Sequence, residues 1–175
     1  GLMVADLVAL IASLDIVDNV VPYIGNEEDK VETEPQKMLG KFVGDRIVDA
    51  GFRTSAHTNR VAVVDGHTVC ASVELGTKAS AAEVAQVMAD FKGPEIVRTL
   101  PSSPKTIIEV RSEPDRPQPR RDRDTGKGMT TVVGRVRPDP LFDVKFVTLS
   151  HNTIRGAAGG SLLNAELMVA QGLVK

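Results

Sequence analysis

Aromatic residues are scarce in this chain. It has no tryptophan, one tyrosine and five phenylalanines, which together make up 3% of its 175 residues. Proteins that bind single-stranded nucleic acid usually stack the bases on aromatic side chains, so this class of protein is disfavoured. The net charge of -2 gives no general attraction to nucleic acid or to an anionic membrane. We therefore expect neither as a partner.

Cysteine and long apolar runs are also nearly missing. Cys70 is the one cysteine, which fits a reducing compartment, and we expect the protein to be cytoplasmic. The longest apolar stretch, 2–14, is interrupted by Asp6 and is too short to cross a bilayer. We expect no metal site, because this cysteine and the three histidines do not have the spacing of metal ligands. The histidines are His57, His67 and His151.

The length and the composition of the chain predict a single globular domain over 1–175. Apolar residues make up 42% and charged residues 25% of the chain, and a chain of this size buries about 70% of its unfolded surface. Apolar residues at helical spacing predict a core helix over 2–14. No internal repeat is visible.

Two capping boxes predict further helices. Thr33 with Gln36 predicts a helix over 34–42, which Gly44 should end. Ser80 with Glu83 predicts a second helix, which Gly93-Pro94 should close.

Runs rich in β-branched residues predict the strands. They lie in two segments within 52–75 hinged at Asp65-Gly66, and in 106–110, 129–136 and 144–149. Residues 112–128 lose their apolar content and should form a long loop. A glycine-containing segment, 152–160, leads into a final helix whose Leu163, Leu167 and Ala170 share one face. This mixture of helices and adjacent strands predicts an α+β fold.

Arg60 and His67 are the strongest functional candidates. A guanidinium can bind a carboxylate and an imidazole can exchange a proton near neutral pH, so the pair predicts an anionic substrate. Residues seven apart on a regular strand face opposite sides, but Gly66 permits a bulge or a turn that brings both side chains to one cleft. Taken singly, each would more often be structural.

Cys70 and the pair Glu27 and Lys30 each have two interpretations. On a strand Cys70 would face away from His67, so we interpret it as a small core residue and not as a nucleophile. Glu27 and Lys30 share one side of a helical turn, where such a pair is usually a weak surface ion pair. Alternatively, the two could bind the amino group and the phosphate or carboxylate of a zwitterionic ligand.

Two other segments give weaker indications of binding. Residues 116–127 are rich in arginine, but the interleaved Asp122 and Asp124 favour a solvated, self-paired loop over a nucleic-acid site. The small residues after Asn152 could leave helix N–H groups free to bind an anion or an amide. The G-x-G-x-x-G spacing of a dinucleotide site is not present there.

Several motifs follow one another in order along nearly the whole chain. They are Asp18–Ile24 with Glu27–Lys30, Asn59–Val63 with Gly66–Thr68, Pro117–Arg120 with Asp122–Asp124, Gly128-Met129 with Val133–Arg135, and Asn152–Gly159 with Asn164-Ala165. This series closely resembles aspartate-semialdehyde dehydrogenase of the archaeal and fungal branch. The resemblance implies a mixed, largely antiparallel sheet with helices packed on one face, like the C-terminal domain of glyceraldehyde-3-phosphate dehydrogenase.

The resemblance also implies an activity. Members of this family use NADP to reduce aspartyl phosphate to aspartate semialdehyde and phosphate through a cysteine thioester, on the pathway to lysine, threonine and methionine. By matching positions, His67 is the acid/base partner of that cysteine. Arg60 would bind the α-carboxylate of the substrate. Glu27 would bind its amino group, and Lys30 would bind its phosphate. The loop that reaches the nicotinamide end of NADP is matched by Asn152, Gly156 and Gly159, and a homodimer or higher homo-oligomer is implied.

The chain also departs from the family pattern. No glycine fingerprint of an NADP-binding domain precedes Gly1, and the Asn-Cys-Ser/Thr motif of the nucleophile is missing. A strand and a glycine-rich loop with a catalytic Gln are skipped, which suggests an internal deletion near 12–13. We therefore expect a C-terminal catalytic and dimerisation fragment that is inactive by itself.

Three alternatives stay open at this point. The chain could be a dimerisation module without ligand chemistry. It could belong to a related acyl-phosphate reductase, such as one acting on N-acetylglutamyl phosphate, where Glu27 would meet no free amino group. A nucleic-acid binder acting through 116–127 would show salt-dependent retention by DNA.

Overall fold

The computed structural model describes residues 16–174. It contains two compact units, of which the first ends at Ala62 and the second begins at Val63. The helix predicted over 2–14 and the deletion suggested near 12–13 lie outside the described residues. The expectation of one domain over 1–175 stays a prediction.

The described part of the first unit contains one long helix and a hairpin. Helix α1 spans Glu27–Met38, and the antiparallel strands β1 and β2 span Lys41–Val43 and Arg46–Val48. Gly44 lies in the turn between the strands with a φ of +64°, a conformation that glycine adopts without a steric penalty. The prediction that Gly44 ends a helix over 34–42 was therefore wrong.

The true start of α1 explains the error. Three acidic residues occupy its first turn, 27–29, where they are stabilised by the positive end of the helix dipole. Thr33 then lies inside the helix, and its hydroxyl donates to the Asp29 carbonyl at 2.6 Å instead of capping. Pro35 is also internal, although proline cannot donate the helical hydrogen bond.

The second unit is built on a four-stranded sheet. Its strands are β3 (His67–Val73), β4 (Ile108–Arg111), β5 (Thr131–Pro138) and β6 (Val144–Ser150), arranged β3-β6-β5-β4. The β3–β6 and β5–β6 pairs are antiparallel and the β4–β5 pair is parallel. The predicted α+β class with a mixed, largely antiparallel sheet is confirmed.

One of the two strand segments predicted within 52–75 does not form. Residues 52–66 contain no strand, and their one isolated bridge pairs Arg60 with Val21. The Asp65-Gly66 step consequently does not fold two strands side by side. Sequence alone could not show that the backbone of this segment is bound by side chains of α1, as described below.

Four helices complete the second unit. They are α2 (Ala81–Asp90), α3 (Glu95–Arg98), α4 (Pro119–Asp122) and α5 (Gly159–Ala170), and a π-helical turn, Ile154–Ala158, leads into α5. The capping box of α2 is confirmed, since Glu83 N donates to Ser80 Oγ at 3.2 Å and Ser80 N donates to Glu83 Oε2 at 2.7 Å. No helix in residues 16–174 is long and apolar enough to cross a bilayer.

The apolar core of the described chain lies entirely in the second unit. Leu163 of α5 is buried in a cluster with Leu100 and Met129, and Leu167 packs against that cluster. This confirms the predicted inner face of the last helix, although Ala170 is exposed. The remaining buried apolar residues lie on β5 and β6: Val132, Val133, Val144 and Leu149.

Candidate functional site

Glu27 and Lys30 lie in the first turn of α1. Lys30 Nζ is 3.9 Å from Glu27 Oε2, and the two side chains keep 56% and 36% of their exposure. The pair is thus the exposed ion pair that the spacing predicted. Such a pair contributes little to stability, so either group can exchange its partner for a ligand at small cost.

A second face of α1 binds the chain that leads to Arg60. Glu28 Oε1 accepts a hydrogen bond from Thr58 N and Glu32 Oε1 accepts one from Ala56 N, each at 2.8 Å. Gln36 Oε1 accepts one from Gly51 N at 3.0 Å, and its Nε2 donates to the Phe52 carbonyl. The acceptors recur every four residues, which places them on one face of the helix. No short-range sequence pattern predicted this polar face.

Arg60 follows directly after this bound segment. Its N–H donates to the Val21 carbonyl at 2.9 Å, and Val21 N donates to the Arg60 carbonyl at 3.1 Å. The side chain is exposed and has no ion-pair or hydrogen-bond partner among residues 16–174. Among the described residues the Arg60 guanidinium is therefore unpaired, while its backbone N–H and carbonyl are both hydrogen-bonded.

His67 is the first residue of β3. It lies opposite Ser150 of β6, whose hydroxyl is hydrogen-bonded to Thr131 Oγ1 of β5 at 2.8 Å. The imidazole is exposed and has no partner within the described part of the chain. A strand of the sheet therefore fixes the backbone of the candidate acid/base residue while the ring stays accessible.

The turn before His67 has a geometry that requires glycine. Gly66 has a φ of +117°, and a Cβ added there would lie 3.1 Å from Leu149 Cδ1. Gly66 N donates to Asn152 Oδ1 at 2.9 Å, and Arg123 Nη1 donates to the Asp65 carbonyl at 3.4 Å. Hydrogen bonds from two segments distant in sequence thus stabilise the turn that the sequence predicted at Gly66.

The glycine-containing segment after Asn152 closes around a buried imidazole. His151 is only 6% exposed, and its Nδ1 accepts from Thr153 N at 3.3 Å and from Ile154 N at 3.4 Å. Gly156 N donates to the His151 carbonyl at 3.0 Å. The expectation of free N–H groups was wrong at these three positions, because the His151 imidazole accepts from the first two and the His151 carbonyl accepts from the third.

Gly159 has a packing role at the start of α5. A Cβ there would come within 2.5 Å of Met129 Sδ and 2.9 Å of the Ile154 carbonyl. Only glycine lets the first turn of α5 approach the core residue Met129 this closely. The cofactor role that the resemblance implies for Gly156 and Gly159 stays a prediction.

The arginine-rich loop is self-paired as expected, and it is exposed at Arg120, Arg121, Asp124 and Lys127 but not at its centre. Asp122 is completely buried. It accepts from Arg116 Nε and from Gln118 N, each at 2.7 Å, and lies 3.3 Å from Arg111 Nε of β4. Burial alone would raise the pKa of Asp122, but these hydrogen bonds and the arginine charges lower it below its usual value. The loop packs on the sheet at Gly134, where a Cβ would overlap the Arg116 carbonyl.

Cys70 is exposed, so its interpretation as a core residue was wrong. It lies on β3, which is an edge strand and has a neighbour on one side only. No group of histidine, cysteine and acidic side chains in residues 16–174 is arranged to hold a metal ion.

The described chain has an α+β fold with an exposed guanidinium at Arg60 in the first unit and an exposed imidazole at His67 in the second. The chain belongs to the family described as "Semialdehyde dehydrogenase, dimerisation domain", which matches residues 6–155. The resemblance inferred from the sequence motifs is thereby confirmed.

Named relatives agree with this assignment. The chain is 49% identical over 164 residues to aspartate-semialdehyde dehydrogenase of Archaeoglobus fulgidus, covering 94% of the chain and 47% of that protein. It is 46% identical over 172 residues to the Aspergillus fumigatus enzyme, with the same two coverages. The chain thus spans about half the length of the curated relatives it matches.

Solved structures show the same likeness. The crystal structure of aspartate-semialdehyde dehydrogenase with NADP from Candida albicans matches with a TM-score of 0.85 and 42% identity, over 95% of this chain and 49% of that one. A structure of aspartate semialdehyde dehydrogenase II from Vibrio cholerae complexed with ASA matches with a TM-score of 0.68 and 27% identity, over 88% and 42%.

Proposed function

We propose that this chain is the substrate-binding and dimerisation part of an NADP-dependent aspartate-semialdehyde dehydrogenase, which reduces aspartyl phosphate in the synthesis of lysine, threonine and methionine. The observation that carries the proposal is the Arg60 guanidinium, which has no partner in residues 16–174 although its backbone is bound on both sides. An unpaired guanidinium on a fixed backbone is suited to binding a small carboxylate substrate. The names of the archaeal and fungal relatives support the same activity.

Each residue has a role set by its chemistry. Arg60 can donate two parallel hydrogen bonds to the α-carboxylate, which a lysine could not do. Glu27 would accept from the substrate ammonium group, and Lys30 would neutralise charge on the phosphate once their 3.9 Å ion pair opens. His67 would take and return the proton of the nucleophilic cysteine that the family supplies.

NADP is the cofactor we propose, and one group in the chain fits its nicotinamide end. Asn152 Oδ1 accepts from Gly66 N, so its Nδ2 is left as a donor, which matches the carbonyl oxygen of a carboxamide. NADPH would supply the hydride when it is bound. Asn152 would orient the ring, and Gly156 and Gly159 would let the loop approach it.

The quaternary state and location belong to the same proposal. The dimerisation-domain family supports a homodimer or a larger homo-oligomer. We also propose that phosphate is released as a product and that the enzyme works in the cytoplasm.

Calorimetric titration with an aspartate analogue that carries a phosphonate in place of the acyl phosphate tests the proposal. Arg60→Ala should weaken binding by roughly 1.5 to 3 kcal/mol, the cost of losing a hydrogen bond to a charged group. Arg53→Ala is the matched control, because Arg53 is an exposed arginine of the same extended segment. Equal affinity in wild type and Arg60→Ala would remove Arg60 from the site.

The same titration separates the alternatives. An analogue with an acetylated amino group should bind more weakly, because Glu27 then loses its ammonium partner. Tighter binding of the acetylated compound would favour a related acyl-phosphate reductase. Association in sedimentation without binding of either compound would favour a pure dimerisation module.

A further inference from the structure

We propose that Asn152 is a positioning residue for His67, acting through the Asp65–Gly66 peptide, one residue before the imidazole. The proposal rests on the proposed function only for the chemical role of His67. The hydrogen bond from Gly66 N to Asn152 Oδ1 joins residues 86 apart in sequence at 2.9 Å. It is therefore a tertiary contact and not part of a local turn.

The orientation of the Asn152 amide follows from its partner. A backbone N–H can only donate, so the oxygen of the amide must face Gly66. The other end of the amide, Nδ2, has no partner among residues 16–174. One side chain therefore supplies an acceptor to the protein and a donor to a ligand.

His67 needs this support because strand pairing begins only at His67 itself. β3 pairs with β6 from His67 opposite Ser150 onwards, and Gly66 precedes the ladder with a φ of +117°. The second bond to this turn, from Arg123 Nη1 to the Asp65 carbonyl, is longer at 3.4 Å. Both bonds restrain the Asp65–Gly66 peptide, one residue before His67, and the Asn152 bond is the shorter of the two.

Asn152 also lies close to the first residue pair between β3 and β6. Asn152 comes two residues after Ser150, the partner of His67. Leu149, which is 1% exposed, packs against the open side of Gly66. The end of β6 and the residues just after it thus hold Gly66 and His67 together, so a ligand bound at Asn152 Nδ2 would act on the backbone of the acid/base residue.

Two variants of the 175-residue chain separate this role from a general effect on folding. Asn152→Ala removes the acceptor, and the amide hydrogen of Gly66 should exchange with solvent about tenfold faster, as expected for the loss of one net hydrogen bond. The imidazole NMR resonances of His67 should shift or broaden while those of His57 stay in place. Asn152→Asp keeps an acceptor oxygen and should restore both readouts.

Asn164→Ala, at an exposed asparagine of α5, is the control and should change neither readout. Gly66 exchange within twofold of wild type in Asn152→Ala would overturn the proposal. So would unchanged His67 resonances in that variant, or an Asn152→Asp variant that behaves like Asn152→Ala. No ligand enters these measurements, so a failed aspartate titration would count against the proposed function and leave them unaffected.

Discussion

The two compact units fix their functional side chains by different means. In the described part of the first unit, 16–62, no residue is buried. Backbone pairing with Val21 holds Arg60, and polar side chains of α1 hold the segment before it. In the second unit, 63–174, His67 stands on a sheet with a buried apolar core and a fully buried carboxylate. The described part of the first unit relies on exposed and half-buried hydrogen bonds, and the second unit relies on packing.

This difference has an energetic consequence. A net hydrogen bond contributes about 1 kcal/mol, whereas each fully buried aliphatic side chain contributes about 1.5 to 3 kcal/mol. Segments with few buried contacts open locally at low free-energy cost. We therefore expect Glu27, Lys30 and Arg60, the proposed substrate-binding residues, to adjust more readily to a ligand than His67.

The largest effect should come from the buried carboxylate of the second unit. Asp122→Ala leaves Arg116 and the N–H of Gln118 without their acceptor, and should lower the free energy of unfolding by about 3 kcal/mol, the cost of breaking a buried ion pair. Urea unfolding followed by far-UV circular dichroism measures it. Asp124→Ala is the matched control, because Asp124 is 76% exposed and its nearest ionic contacts are at 3.9 Å. Equal losses in both variants would contradict the packing-based account.

A glycine pair compares the two units directly. Gly66→Ala should lower the free energy of unfolding by about 2 kcal/mol or more. Residue 66 needs a positive φ, and the new Cβ would be too close to Leu149. Gly51 of the first unit also has a positive φ, +79°, but a Cβ there would meet no atom within 4 Å. Gly51→Ala should therefore cost about 1 kcal/mol, the backbone penalty alone. Identical urea midpoints for the two variants would show that the Leu149 contact has no effect.

The smallest expected change tests the polar face of α1. Glu32→Ala removes the acceptor of the Ala56 N–H and should speed hydrogen exchange of that amide by roughly fivefold, or about 1 kcal/mol. Glu34→Ala, at an exposed position of the same helix, should leave it unchanged. Comparable exchange of Ala56 in both variants would mean that α1 does not hold the segment leading to Arg60.

Short sequence patterns were sufficient to predict several elements of the fold. The capping box at Ser80, the β-branched runs of the sheet and the inner face of α5 at Leu163 were all predictable, because each leaves a pattern within a few consecutive turns or residues. The family motifs identified the candidate site residues for the same reason, because each motif is short.

The tertiary structure decided what depends on distant partners. Side chains of α1 hold 51–58 as an extended segment instead of a strand, Arg111 and Arg116 draw Asp122 into the interior, and Asn152 fixes Gly66 from 86 residues away. Cys70 is exposed on the edge strand β3, although Ala71 and Val73 of the same strand are half-buried. Composition and spacing give the chemistry that a residue offers, but its burial and its hydrogen-bond partners arise only when remote segments pack together.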